Sequence, residues 1–190
     1  MRLFVAIDIP EEVRGRLAGL VEELRRAVRG PAWARVAGMH LTLKFIGEVE
    51  EPKAGGILRA LDGAGGFAPF EVHYRGTGFF PDGNAPRVFW AGMVAPPELA
   101  ALASAVEACL EPLGIARERR AFHPHLTLAR LKSRNGLVEL HEAAARLRET
   151  EFGEGLVEHF HLYRSILKPS GAEYTRMASF GLEGKTGGQG

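Results

Sequence analysis

The tetrapeptide His-Leu-Thr-Leu occurs twice, at His40-Leu41-Thr42-Leu43 and at His125-Leu126-Thr127-Leu128, each within an apolar alternating run. On a β-strand, residues i and i+2 leave the same face, so imidazole and hydroxyl emerge side by side while both leucines point the other way. Packing alone asks for the leucines and has no use for His and Thr. Two such pairs facing one another would set two imidazoles and two hydroxyls around one small anion. With an ordinary pKa of ~6.5, one imidazole can stand neutral and the other protonated near pH 7. In-line cleavage of a phosphodiester needs that division: a base for the attacking water and an acid for the departing alkoxide. The threonine hydroxyls can donate to the non-bridging oxygens as charge develops there. Neither a metal nor a cofactor is called for.

Two cations follow the motifs. On a regular strand Lys44 shares the face of His40, whereas Arg130 points away from His125. Arg130 therefore serves a phosphate only if the strand bulges or ends near Ala129, or if the side chain wraps around. The remaining histidines read more plainly. His73, His141, His159 and His161 suit packed or exposed positions, and His123 lies on the face of His125 as a structural or helper group. His159-Phe160-His161 lacks the Cys or carboxylate partners of a metal site. Phe79, Phe80, Phe89 and Trp90 read as core before they read as a base-stacking surface. Arg117-Glu118-Arg119-Arg120 reads as a solvated loop, and Gly76 and Gly78 lack the pattern of a nucleotide-binding loop.

The elements that must position these groups repeat with the motif. Leu3–Ile9 predicts a strand, and Val13, Leu17, Leu20, Val21 and Leu24 predict a helix opened by Pro10. The first motif strand, a weak helix over 52–61 carrying Gly55-Gly56, and a strand over 70–74 follow. The second half matches it: a strand over 87–94, a helix from Pro97, the second motif strand, a helix over 137–148 and a strand over 156–165. A last strand near 174–182 closes the chain. This order predicts an α+β bilobal unit over 1–183, its duplicated halves meeting near 80–90 with the motif strands on either side of a cleft. A single, mostly parallel sheet is the alternative.

Composition sets the remaining bounds. The 190 residues carry 24 Lys+Arg against 23 Asp+Glu, a net charge of +1 that argues against coating long nucleic acid by charge alone. A local basic pocket remains compatible with it. The lone Cys109, among Ala105, Val106, Ala108 and Leu110, reads as a buried structural thiol. No apolar run approaches the ~18 residues of a membrane span and no signal-peptide pattern is present, so the expectation is a cytoplasmic protein with no membrane partner. Residues 184–190 read as a loose tail, and nothing calls for more than a monomer.

With its flanking blocks the chain resembles the 2H phosphoesterase superfamily, and within it the RNA 2′,3′-cyclic phosphodiesterase (2′–5′ RNA ligase) branch. The blocks are Arg2-Leu3-Phe4-Val5-Ala6-Ile7-Asp8-Ile9-Pro10, His40 to Gly47, Gly76 to Pro81 with Pro86 to Trp90, His123 to Arg130, and Leu167-Lys168-Pro169 with Tyr174. The resemblance implies antiparallel sheets lining a cleft and hydrolysis of a terminal RNA 2′,3′-cyclic phosphate to a 2′-phosphomonoester. It implies His40 as proton donor to the 3′ oxygen, His125 as proton acceptor, Thr42 and Thr127 on the phosphoryl oxygens, and Arg130 as a phosphate contact. The resemblance also implies ATP-independent 2′–5′ joining of tRNA halves, with a ribose hydroxyl replacing water. Two other readings stay open: a phosphodiesterase of a small cyclic nucleotide or ADP-ribose cyclic phosphate, and a non-enzymatic module that binds RNA ends.

Overall fold

The computed structural model describes residues 1–83, 85–168 and 171–183. β1 (Arg2–Asp8) leads to α1 (Glu11–Ala27), a short β2 (Ala32–Trp33), β3 (His40–Glu48) and α2 (Ala54–Asp62). β4 (Phe70–Phe80), β5 (Val88–Val94), α3 (Pro97–Leu110), β6 (His125–Arg130) and α4 (Leu137–Arg146) follow, then β7 (Glu151–Val157), β8 (His159–Lys168) and β9 (Gly171–Gly181). One sheet has the order β3-β1-β8-β9 and the other β2-β6-β5-β4-β7. Every pairing is antiparallel, which rules out the parallel sheet. α1 starts behind Pro10 with Glu11 and Glu12 at its positive end, and it buries Val13, Leu17, Val21 and Leu24. β1 is buried on both faces: Leu3, Val5 and Ile7 join the main core, while Phe4 and Ala6 pack with Tyr163 on the other side. That burial is why β1 reads as an unbroken apolar run.

The halves are duplicated, but the sheets are not the halves. β4, from the first half, pairs with β5, and β8, from the second, pairs with β1. Each half thus contributes strands to the other's sheet, β2 and β4 to the second and β8 and β9 to the first. Matching β3-β1-β8-β9 to β6-β5-β4-β7 makes the two motif strands equivalent, and the register agrees. Ala6 pairs with Thr42 and Asp8 with His40, as Trp90 pairs with Thr127 and Gly92 with His125.

The predicted strand over 156–165 is two strands. The chain breaks at Glu158, whose carbonyl accepts a hydrogen bond from the Leu182 amide at 2.7 Å, and passes from the second sheet to the first. β7 begins earlier than expected because Gly153 and Gly155 mark a close crossing rather than a loop. A Cβ on Gly155 would lie 2.3 Å from Pro10 Cγ, at the start of α1. β4 likewise runs past Tyr74 through Gly76, which takes a left-handed φ of 71° at a register shift. The weak helix forms as a 3₁₀ turn over Glu51–Lys53 followed by α2. Pro169 and the tail 184–190 lie outside the described residues. No helix among the described residues is long and apolar enough to cross a membrane.

Candidate active site

The two motif strands share one irregularity. Val5 pairs with Lys44 and Ala6 with Thr42, so Leu43 is an extra residue in β3. Phe89 pairs with Ala129 and Trp90 with Thr127, so Leu128 is the extra residue in β6. A one-residue bulge breaks the alternation of faces. Leu43 and Lys44 are consecutively buried, and so are Leu128 and Ala129. Beyond the bulge, Phe45 and Arg130 return to the face of the histidines, and both line the same cleft as His40, Thr42, His125 and Thr127. The bulge therefore brings Arg130 into the cleft and takes Lys44 out of it. Contrary to the regular-strand expectation, the Lys44 ammonium points inward and donates to Glu107 at 3.0 Å, Glu118 at 3.2 Å and the Ala116 carbonyl at 2.7 Å.

The cleft measures about 990 Å³ and draws residues from both sheets. Its two imidazoles are held alike. His40 Nδ1 lies 2.9 Å from the Gly38 carbonyl, and His125 Nδ1 lies 2.7 Å from the His123 carbonyl. A carbonyl only accepts, so Nδ1 carries a proton on both rings and Nε2 is the atom that exchanges one. Aromatic rings support the pair. Phe4 stacks on His40 at 4.5 Å and Tyr174 meets it edge-on at 5.0 Å, while Phe80 meets His125 edge-on at 4.9 Å.

Opposing influences act on His40. Burial pushes His40 below its ordinary pKa of 6.5; the bond to Gly38 and the charge of Asp8 pull it back up, and Arg14 pushes it down. Asp8 stands across the ladder from His40, where the second copy has Gly92. The Asp8 carboxylate accepts from Tyr163 at 2.6 Å and is paired with Arg176, and the His161 ring lies 3.7 Å away. Burial, and then the Asp8 bond, raise the Tyr163 pKa. Burial lowers that of His161, whose Nδ1 meets Ser179 Oγ at 2.9 Å.

Sequence reasoning missed Arg2, Phe4, Asp8, Arg14, Arg35, Tyr163, Tyr174 and Arg176 as cleft residues. For Phe4 and Asp8 the signal was available, since they alternate with the buried Leu3, Val5 and Ile7. For the arginines it was not. His123 does line the cleft, and it holds His125 through its backbone. Phe79 and Phe89 are core, as read. His141 packs on Phe79 at 4.5 Å and His73 is exposed. Cys109 is half-buried, with its thiol against the Val106 carbonyl, and burial raises its pKa. Among the described residues Glu71, His73 and Glu154 lie close enough to share a cation, but they are exposed on β4 and β7.

Residues 9–168 match the family model of the 2′-5′ RNA ligase superfamily. An RNA 2′,3′-cyclic phosphodiesterase of Archaeoglobus fulgidus is 36% identical over 180 residues, covering 95% of this chain and 99% of that protein. One of Thermus thermophilus is 38% identical over 201 residues, covering 98% and 93%. The crystal structure of TT0787, also from Thermus thermophilus, superposes with a TM-score of 0.80 at 36% identity, over 97% of this chain and all of that one. Apo LigT of E. coli superposes with a TM-score of 0.74 at 27% identity, over 95% and 96%. A chain matched over nearly its whole length, with both motif strands inside the matched span, belongs to the 2′-5′ RNA ligase superfamily.

Proposed function

We propose that this protein is an RNA 2′,3′-cyclic phosphodiesterase that opens a terminal cyclic phosphate to a 2′-phosphomonoester. The observation that carries this reading is the paired site. Two His-x-Thr strands with the same bulge and the same Nδ1-to-carbonyl bond line one cleft, which Arg130 also enters. The names of the relatives support the substrate class.

His125 Nε2 takes a proton from water as the oxygen attacks phosphorus, and His40 Nε2 gives its proton to the leaving 3′ oxygen. The hydroxyls of Thr42 and Thr127 donate to the non-bridging oxygens, and Arg130 balances their charge. Asp8 favours the donor role for His40, because a carboxylate beside an imidazole stabilises its protonated form. The second copy has a glycine in that place. His40→Ala and His125→Ala are each expected to lower turnover of a cyclic-phosphate RNA by ~10² or more. Undiminished turnover in both variants would falsify the assignment. Recovery of a 3′-phosphate instead of a 2′-phosphate would reverse the two roles.

The match to a ligase family model supports a second reaction in the same cleft. A 5′ hydroxyl taking the place of water at phosphorus would join tRNA halves through a 2′–5′ bond without ATP. Cleavage of that bond runs the same path backwards, with the histidines exchanging duties. Incubating a cyclic-phosphate end with a 5′-hydroxyl end and searching for a linkage resistant to 3′–5′-specific nuclease tests it.

A further inference from the structure

The approach to the second motif is His123-Pro124-His125, whereas the approach to the first is Gly38-Met39-His40. Both His123 and Gly38 must present a carbonyl to an imidazole two residues on. Pro124 fixes its own φ and restricts His123 before it, so the second approach is stiff by covalent structure. The first has glycine where the second has histidine, and methionine where the second has proline. It also has further to travel. Ala32–Trp33 pairs with β6 in the second sheet, and the Ala34 amide donates to the Leu128 carbonyl at 2.8 Å, yet six residues later His40 begins β3 in the first sheet.

One side chain ties down this crossing. Arg14, on α1, sets Nη1 at 3.0 Å from the Val36 carbonyl, 2.9 Å from that of Ala37 and 3.1 Å from that of Met39. These carbonyls flank Gly38 and leave the Gly38 oxygen to His40 Nδ1. The side chain is largely buried, and its ionic partner is the exposed Glu11, at 3.3 Å from Nε. The corresponding stretch of α3, Pro97 to Ala103, carries no cation.

We infer that Arg14 is a positioning residue for His40: it holds the 36–39 turn so that the Gly38 carbonyl fixes the imidazole with its proton on Nδ1 and Nε2 free, a task Pro124 performs for His125. The inference rests on His40 as an acid–base group for its functional weight, but its structural part is read in the free protein.

The test compares full-length wild type, Arg14→Gln, Arg14→Lys and Glu11→Gln. Long-range ¹H–¹⁵N correlations of the histidine rings report tautomers, with His40 assigned by His40→Gln. In wild type the neutral ring carries its proton on Nδ1. Arg14→Gln is expected to give a mixture with the Nε2-protonated form. It should also lower kcat on the order of 10-fold or more, as expected for a misplaced group, with KM within about twofold. Arg14→Lys, which keeps the charge but loses the planar fork, moves both readouts less and in the same direction. It carries the test if Arg14→Gln does not fold. Glu11→Gln changes neither. A His40 tautomer unaltered in Arg14→Gln and Arg14→Lys overturns the inference, as does a rise in KM at constant kcat, which would place Arg14 on the substrate. If wild type proves inactive on cyclic-phosphate RNA, the proposed activity fails while the tautomer result still stands or falls separately.

Discussion

His40 is pulled in opposite directions by its neighbours, and the balance has a measurable sign. An acid must be protonated in the free enzyme to count in kcat/KM, and burial holds His40 below 6.5. Activity in kcat/KM is therefore expected to fall, as pH rises, with a midpoint below 6.5. A bound phosphate anion stabilises the imidazolium, so the same limb in kcat should lie higher. Asp8→Asn removes a charge that raises the His40 pKa and is expected to move the kcat/KM limb further down. A limb that stays put or rises would show that Asp8 does not act on His40. Stability follows the same linkage. His40 and His161 both have lowered folded values, so the unfolded chain takes up these protons first. The fold should lose stability as pH drops through 6.5, which urea titrations at pH 7.5 and 5.5 would register.

A strand is where face and register are decided, and the two motif strands decide them with one extra residue each. The bulge sends Lys44 into a knot with Glu107, Glu118 and the Ala116 carbonyl, which ties β3 to α3 and to the loop leading toward His125. Lys44→Met leaves Glu107, only 17% exposed, without its cation. A loss of about 3 kcal/mol is expected, at the low end for a broken buried pair because Glu118 stays solvated. A change below about 1 kcal/mol in denaturant unfolding would mean the carboxylates relax to water. Glycines in the helices and strands divide in the same way. Gly155→Ala meets Pro10 and should cost about 1–3 kcal/mol. Gly15→Ala, in α1 with nothing within 4 Å, should stabilise by about 0.5–1 kcal/mol.

For the molecule as a whole, a net charge of +1 conceals a cleft lined, among the described residues, by Arg2, Arg14, Arg35, Arg130 and Arg176 against the one acid Asp8. Such a cleft should attract a few phosphates and no more. For an RNA oligomer, log kcat/KM against log salt is expected to slope by about −1.5 to −3, the figure for two to four neutralised phosphates on a single strand. A bare mononucleotide cyclic phosphate should slope less, and equal slopes would argue that only the terminal phosphate is held.

The sequence alone was enough to single out four side chains that line one cleft, because imidazole and hydroxyl at i and i+2 in an apolar run have no packing reason to be there, and their repetition doubles the signal. It also specified most elements, since 3.6- and 2-residue periodicities are local. Tertiary structure alone decided which sheet each strand joined, because the exchange of β4 and β8 between sheets leaves no mark in local hydrophobicity. It alone put Arg130 in the cleft and turned Lys44 away from it into the interior, since a bulge is set by the pairing partner and not by the bulged strand. And it alone brought Asp8, Arg14 and Arg176 to the cleft: a charged residue's partner lies across the fold, at separations in sequence that no periodicity reaches.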